Sequence, residues 1–128
     1  MSYCFSKIVQ LSYEEAIAKV TAELQKEGFG ILTEIDVKNK LKEKIGVDFR
    51  KYKILGACNP AYAYKALQAE PNIGTMLPCN VVVQELDSGA IQISAIDPIA
   101  SMKAVENERL AVIASEIQGK LKNVIDSI

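Results

Sequence analysis

Two Cys-Asn pairs are the residues whose type and spacing could do chemistry. Cys58-Asn59 is followed at once by Pro60, and Cys79-Asn80 lies further along the chain. A cysteine thiolate is a nucleophile and a ligand for soft metal ions. Two thiols at one site could bind an ion such as Cu(I) or cycle through a disulfide. We therefore take Cys58, Asn59 and Cys79 as the candidate ligand or thiol site.

The absence of histidine limits the chemistry further. The chain contains none, so Ser-His-Asp catalysis, Cys-His catalysis and histidine metal sites are excluded. Any acid-base step would need carboxylates, lysine, tyrosine or thiol. Glu34 or Asp97 could supply oxygen ligands for a harder ion, although their spacing does not pair them. These observations favour a non-catalytic protein over an enzyme and leave any cofactor unknown.

Composition predicts one soluble domain over residues 1–128. The sequence is 49% hydrophobic and 24% charged, which is ordinary for a globular protein. A net charge of -1 argues against nucleic acid or an anionic membrane as a partner. No apolar run approaches the roughly 20 residues that a membrane span needs, and the N-terminus has no pattern of a secretion signal. Three cysteines, an odd number, favour reduced thiols and a cytoplasmic location.

A strand, a helix and a second strand must position the two cysteines. Residues 54–58 are apolar or small at every position, as in a short buried strand. Asn59 and Pro60 then predict a helix start, with Asn59 as the N-cap. The helix should end before Pro71, because the residue before proline is driven out of the helical region. The valines that follow Cys79 predict a strand over 79–86.

The flanking segments complete an α+β pattern. One sheet of about five strands, partly or wholly antiparallel, is expected to carry helices on one face. Its other face would be incompletely covered, which predicts a homodimer. The predicted strands are residues 3–9, residues 31–35 and a hairpin of 81–86 and 91–96. A first helix should begin at the capping box Ser12/Glu15 and end at Gly28, and a second, over 37–45, should be capped by Asp36 and face Val37, Leu41 and Ile45 inward. A last helix is predicted over 102–126, with Val112 on its buried face.

Five blocks of sequence, at residues 28–38, 53–60, 66–74, 77–83 and 94–98, together and in this order resemble the bacterial and archaeal domain of unknown function 302. The resemblance implies a fold similar to the TATA-box-binding-protein-like class (strand, helix, four strands, helix) and a tendency to dimerise. It does not bring DNA binding with it, since fold does not fix function. It supplies no established activity and no catalytic residues.

The thiol hypothesis depends on how the two strands pair. If they are antiparallel neighbours, Cys58 and Cys79 lie at the same end of the sheet. Cys58 would then precede a helix N-terminus, where the dipole lowers the pKa of a thiol. A parallel crossover would instead place the cysteines at opposite ends. The simpler interpretation is that both are small buried apolar residues and that Asn59 is only a helix cap.

Two functions follow from these alternatives. The first is a dimeric binding module for a small molecule or a protein partner. The second is a thiol site at Cys58 and Cys79 that binds a soft metal ion or cycles through a disulfide. The segment 38–53, with seven lysines and arginines against Glu43 and Asp48, is interpreted as a solvated surface, with docking of an anion as the alternative.

Overall fold

Five strands and five helices make up the computed structural model, which describes residues 2–128. The strands are β1 (Cys4–Val9), β2 (Gly30–Asp36), β3 (Tyr52–Cys58), β4 (Cys79–Glu85) and β5 (Ile91–Ile96). The helices are α1 (Tyr13–Lys26), α2 (Val37–Ile45), α3 (Pro60–Ala69), α4 (Pro98–Ser101) and α5 (Glu108–Asp126), with a 3-10 turn at Pro71–Met76.

The strands form one antiparallel sheet in the order β1-β5-β4-β3-β2, and the helices cover one of its faces. This α+β architecture confirms the predicted fold class. Its core follows from alternation along the strands, because Val81, Val83 and Ile93 point to the helices and are fully buried. Leu24 of α1 and Leu121 of α5 pack onto the same cluster. The two long helices therefore hold the sheet from one side.

No helix within residues 2–128 has the length and apolar character needed to cross a membrane.

Local capping signals placed several helix ends where the sequence predicted them. The Ser12 Oγ accepts from the Glu15 amide at 3.1 Å, and the Glu15 carboxylate accepts from the Ser12 amide at 3.1 Å. Gly28 ends α1 with a φ of 87°. Asp36 accepts from the Asn39 amide at 3.0 Å at the start of α2. These predictions are confirmed because each depends only on residues within one turn.

The last helix differs from its prediction. It begins at Glu108 rather than at Met102, because the chain leaves the helical path after α4. Asn107 makes the new start, since its Oδ1 accepts from the Leu110 amide at 3.1 Å while its Nδ2 donates to the Ala69 carbonyl at 2.8 Å. Asn107 thus joins the end of α3 to the beginning of α5.

Two side chains that were predicted to face inward are exposed. Ile45 is 67% exposed and Val112 is 60% exposed. α2 buries none of its residues and lies against β2 and β3 with only Val37 and Leu41 half-buried. α5 turns Val112 to solvent because its contact face is a narrower stripe than predicted, running through Leu110, Ala114 and Ile117.

The face of the sheet opposite the helices carries no charged side chain over its central area. Ser6 and Ser94 are hydrogen-bonded there through their hydroxyls at 2.8 Å. At the rim, the Arg50 guanidinium lies 4.4 Å from the centre of the Phe49 ring, and its Nε donates to Gln84 at 3.0 Å. This area, called the open face below, consists of Tyr3, Cys4, Ser6, Tyr52, Asn80, Val82, Gln84, Gln92, Ser94 and Ile96.

Candidate functional site

β3 and β4 bring the two cysteines to one end of the sheet. The strands are antiparallel neighbours, with Ala57 paired to Cys79. Cys58 is the last residue of β3, and Cys79 is the first residue of β4. The parallel crossover, which would have separated them, does not occur. The connection through α3 and the 3-10 turn instead leaves the sheet and returns to the same end.

Both cysteines line an apolar cavity between this end of the sheet, α3 and α5. Its volume is about 30 Å³, which is room for one or two water-sized molecules. Asn59 and Tyr62 are the only lining side chains with a nitrogen or oxygen atom. The other lining residues are Ala57, Cys58, Ala63, Ala66, Leu77, Pro78, Cys79, Pro98, Met102, Ile113, Ala114 and Ile117.

These surroundings keep both thiols protonated. Burial raises the pKa of Cys58. Burial, and to a smaller extent the charge of Cys58, raises the pKa of Cys79 to about 11. The expectation that the start of α3 would lower the pKa of Cys58 is wrong, because burial of the thiol raises it. All three cysteines of the chain are free.

Asn59 stands at the N-cap of α3, as predicted, but its side chain does not cap the helix. Its Nδ2 donates to the Glu27 carbonyl at 3.2 Å, at the end of α1. A Cβ on Gly28 would lie 3.0 Å from that Nδ2, so the absence of a side chain there lets the two helix ends approach. The predicted cap is therefore wrong, since the amide group satisfies a free carbonyl of another helix instead.

Replacing Asn59 by alanine is expected to lower the free energy of unfolding by about 1 kcal/mol, through the lost hydrogen bond to Glu27. Urea unfolding measures this loss. Hydrogen exchange should show loosening at residues 27–29 as well as at the start of α3. Ser12→Ala is the matched control, because Ser12 is a true cap and its loss should loosen only the first turn of α1. Loosening confined to α3 in the Asn59 variant would contradict the assignment.

Tyr62, whose position on the predicted helix fitted either a pocket lining or the edge of the core, with the core favoured, lies at the cavity. Hydrogen bonding to Glu116 of α5, together with burial, raises its pKa. The Lys65 and Lys120 ammonium groups lie 5.4 Å and 5.9 Å from the centre of its ring. Tyr62 thus links α3 to α5 beside the cavity. Tyr64, by contrast, is 65% exposed.

The two carboxylates considered as metal ligands do not join this site. Asp97 accepts from the Ile99 amide at 3.0 Å and from Gln118 Nε2 at 3.1 Å, so it caps α4 and braces α5. Glu34 is exposed on β2. Across residues 2–128, no three or more cysteine, aspartate or glutamate side chains are grouped so as to hold a metal ion.

The basic segment 38–53 makes contacts within itself and with α1. The Lys38 ammonium donates to the Phe49 carbonyl at 2.7 Å. Lys42 pairs with Asp48 at 3.1 Å, and Lys51 approaches Glu14 at 3.9 Å. These ion pairs are exposed to solvent and therefore contribute little to stability. They match the interpretation of this segment as a solvated surface.

The protein is of the α+β class. It has one antiparallel sheet of five strands, helices on one face of that sheet, and two cysteines at the same end of neighbouring strands. A similar structure is the crystal structure of uncharacterized conserved protein DUF302 from Bacillus stearothermophilus. The TM-score is 0.92 at 30% sequence identity, over 99% of this chain and 98% of that chain. The family model "Domain of unknown function DUF302" matches residues 5–128, so the chain belongs to this family. No curated protein matches the chain.

Proposed function

We propose that this protein is a non-catalytic binding module whose site is the cavity between α3, α5 and the ends of β3 and β4. The observation that supports it is the lining, in which Asn59 and Tyr62 are the polar exceptions among apolar side chains. Ligand sites are typically concave and apolar with a few polar groups that fix orientation. Asn59 and Tyr62 would play that orienting part here.

The size of the cavity limits the ligand. A volume of about 30 Å³ accepts a single atom or the tip of a small molecule. A larger ligand would have to displace α3, which buries only Ala66 fully and whose first turn has no side-chain cap. The site therefore favours a small ligand over a protein partner.

Filling the cavity is expected to abolish this binding. Ala63 lines the cavity, whereas Ala61 is exposed on the same helix. In the wild-type protein, xenon under pressure should shift the methyl NMR signals of Ala57, Ala66 and Ile117. Ala63→Leu should suppress these shifts, because its added methyl groups occupy the space, and Ala61→Leu should leave them unchanged. Wild-type methyl signals that ignore xenon would refute a ligand-accepting cavity.

We also propose that the open face pairs with a second copy of the chain. The face has no charged residue, whereas charged residues form 24% of the whole chain. Depletion of charge and enrichment in tyrosine and arginine are typical of interface centres, and Tyr52 and Arg50 lie on or beside this face. Two such faces can stack without like-charge repulsion. Free cysteines further support a reducing compartment, and we propose the cytoplasm.

A charge at the middle of the open face is expected to dissociate the dimer. Val82 lies on β4, the middle strand of the sheet. Val82→Lys would bury two ammonium groups against each other in the paired sheets, which neither copy can neutralise. Sedimentation velocity should show a dimer for wild type and a monomer for Val82→Lys. Val112→Lys, at an exposed position on α5, should remain dimeric. A wild-type monomer at high concentration would reject the proposal.

A further inference from the structure

We propose that the ligand of this cavity is a soft monovalent metal ion, Cu(I), bound by the sulfur atoms of Cys58 and Cys79 with the thioether of Met102 as a third, weaker ligand. This inference depends on the proposed function, because it names the occupant of the same cavity. Of the two chemistries considered for the thiol pair, it selects metal binding, because the thioether of Met102 can be a metal ligand but takes no part in a disulfide.

The convergence of sulfur-containing residues supports this assignment. The chain has three cysteines and three methionines, and half of these six residues line this one small cavity. They come from three separate elements, namely the end of β3, the start of β4 and the residue after α4. Met102 is only 9% exposed, so its sulfur is held within the packed structure. If the cavity needed only apolar side chains, aliphatic residues would serve, and the three elements would not each have to contribute a residue that contains sulfur.

The type of ligand selects the type of ion. Thiolate and thioether groups prefer Cu(I), whereas carboxylate, carbonyl and water ligands suit Mg²⁺, Ca²⁺ and Mn²⁺. No lining residue is a carboxylate. The volume of about 30 Å³ suits one ion better than an organic molecule. The apolar walls around it would keep water from the metal, and such a shell tunes a site as much as its ligands do.

The binding reaction balances without a redox step. The Cys58 and Cys79 thiols each lose a proton to solvent, two Cu–thiolate bonds and one weaker bond to the Met102 thioether form, the bonds from copper to its carrier bicinchoninate break, and copper remains Cu(I). The resulting dithiolate complex carries one negative charge. The first turn of α3 adjoins Cys58 and has no side-chain cap, so its amides and the helix dipole are available to favour that charge. Lys65 and Lys120, near Tyr62, add positive charge beside the cavity.

Anaerobic titration of the fully reduced protein with Cu(I), in competition with bicinchoninate, tests this site. We expect one Cu(I) per chain, two protons released per ion, and a sulfur-to-copper charge-transfer band in the near ultraviolet. Cys58→Ser and Cys79→Ser should each weaken binding by at least about 100-fold, beyond the range usual for residues that only support a ligand. Met102→Leu should weaken it by about tenfold, since a thioether is a neutral and weaker ligand.

Cys4→Ser is the matched control, because Cys4 lies on the open face, away from the cavity. It should leave Cu(I) affinity unchanged. Circular dichroism and the melting temperature of each variant separate loss of a ligand from loss of the fold, and the stoichiometry and proton release of the wild type test the site without any substitution.

Several outcomes would overturn the inference. These are no competition with bicinchoninate, equal loss of Cu(I) in the Cys4 variant, or tighter binding of Zn²⁺ than of Cu(I) in parallel titrations. If Cu(I) does not bind but xenon still shifts the methyl signals, the protein would still be a binding module, and its ligand would be another small molecule. Failure of both would remove the cavity as a binding site.

Discussion

Gly56→Ala is expected to lower the free energy of unfolding by about 2–3 kcal/mol, the usual cost of overpacking a site that cannot relax. A Cβ at Gly56 would meet the Pro78 Cγ at 2.8 Å and would overlap the Thr33 Oγ1. The Thr33 hydroxyl can rotate away, but the Pro78 ring cannot. The chain must therefore shift at Pro78, the residue before Cys79. Urea unfolding at neutral pH measures the change in free energy.

Gly30→Ala is the matched control for this prediction. Gly30 begins β2, and a Cβ there would have no heavy atom within 4 Å. Its replacement should be neutral or slightly stabilising, because alanine has less conformational freedom to lose on folding. Adding Thr33→Ala to the Gly56 variant should restore only part of the loss, since the contact with Pro78 remains. Equal stability of the Gly56 and Gly30 variants would show that β3 and the Pro78 segment separate easily.

The Gly56→Ala substitution is expected to change the cavity as well as the stability of the fold. Gly56 pairs with Asn80, and Pro78 lies over it from the strand that carries Cys79. Moving Pro78 away from β3 would widen the separation of Cys79 and Cys58. Xenon occupancy and Cu(I) affinity are therefore both expected to fall in Gly56→Ala more than in Gly30→Ala, at temperatures where both variants are folded.

Local rules of helix and strand formation made much of the fold predictable. The bounds Pro60–Ala69 of α3 follow from proline at its first position and from Pro71 after its end. β5 (Ile91–Ile96) follows from the alternation of apolar and polar residues over Ile91–Ala95. In both segments the decisive residues lie within a few positions of the boundary. The sequence alone therefore contains the information.

Contacts between distant segments were not predictable in the same way. Asn59 was predicted to be a simple cap and Asn107 was not predicted to begin a helix, yet each donates to a carbonyl at the end of another helix. An asparagine next to a helix start has the same local pattern whether its amide caps that helix or reaches another one. Only the packing of α1, α3 and α5 decides between the two, and no single-sequence signal encodes it.

The candidate site likewise combines residues that a local pattern identifies with residues that only tertiary packing brings in. Cys58 and Cys79 were selected because each begins a Cys-Asn pair at the end or the start of a predicted strand, which is a local property of the chain, whereas the pairing of those two strands was left open. Met102, which follows α4, and Tyr62 of α3 complete the cavity, and their positions depend on how those helices pack. The raised pKa of Cys58 has the same origin, since it is caused by burial, which depends on tertiary packing.

Cys79 is expected to react with iodoacetamide about 100-fold more slowly in the folded, metal-free protein than in the unfolded chain at pH 7–8. Burial raises its pKa from 9.0 to about 11, and only the thiolate reacts. Two pH units remove a factor of about 100 from the thiolate fraction, and restricted access slows the reaction further. Mass spectrometry of the alkylated peptides gives the rate at Cys79 separately from those at Cys4 and Cys58.

The same pKa shift fixes a dependence of stability on pH. Because the folded-state pKa exceeds the unfolded value, the protonated thiol stabilises the fold, and this contribution is fully present below pH 9. It is lost as pH rises from 9 towards 11. The urea midpoint should therefore fall across that range in the wild type and fall less in Cys79→Ala, which cannot ionise there. Identical pH profiles for the two proteins, or rapid alkylation of folded Cys79 at pH 7, would mean that water reaches the sulfur and that the cavity is not dry.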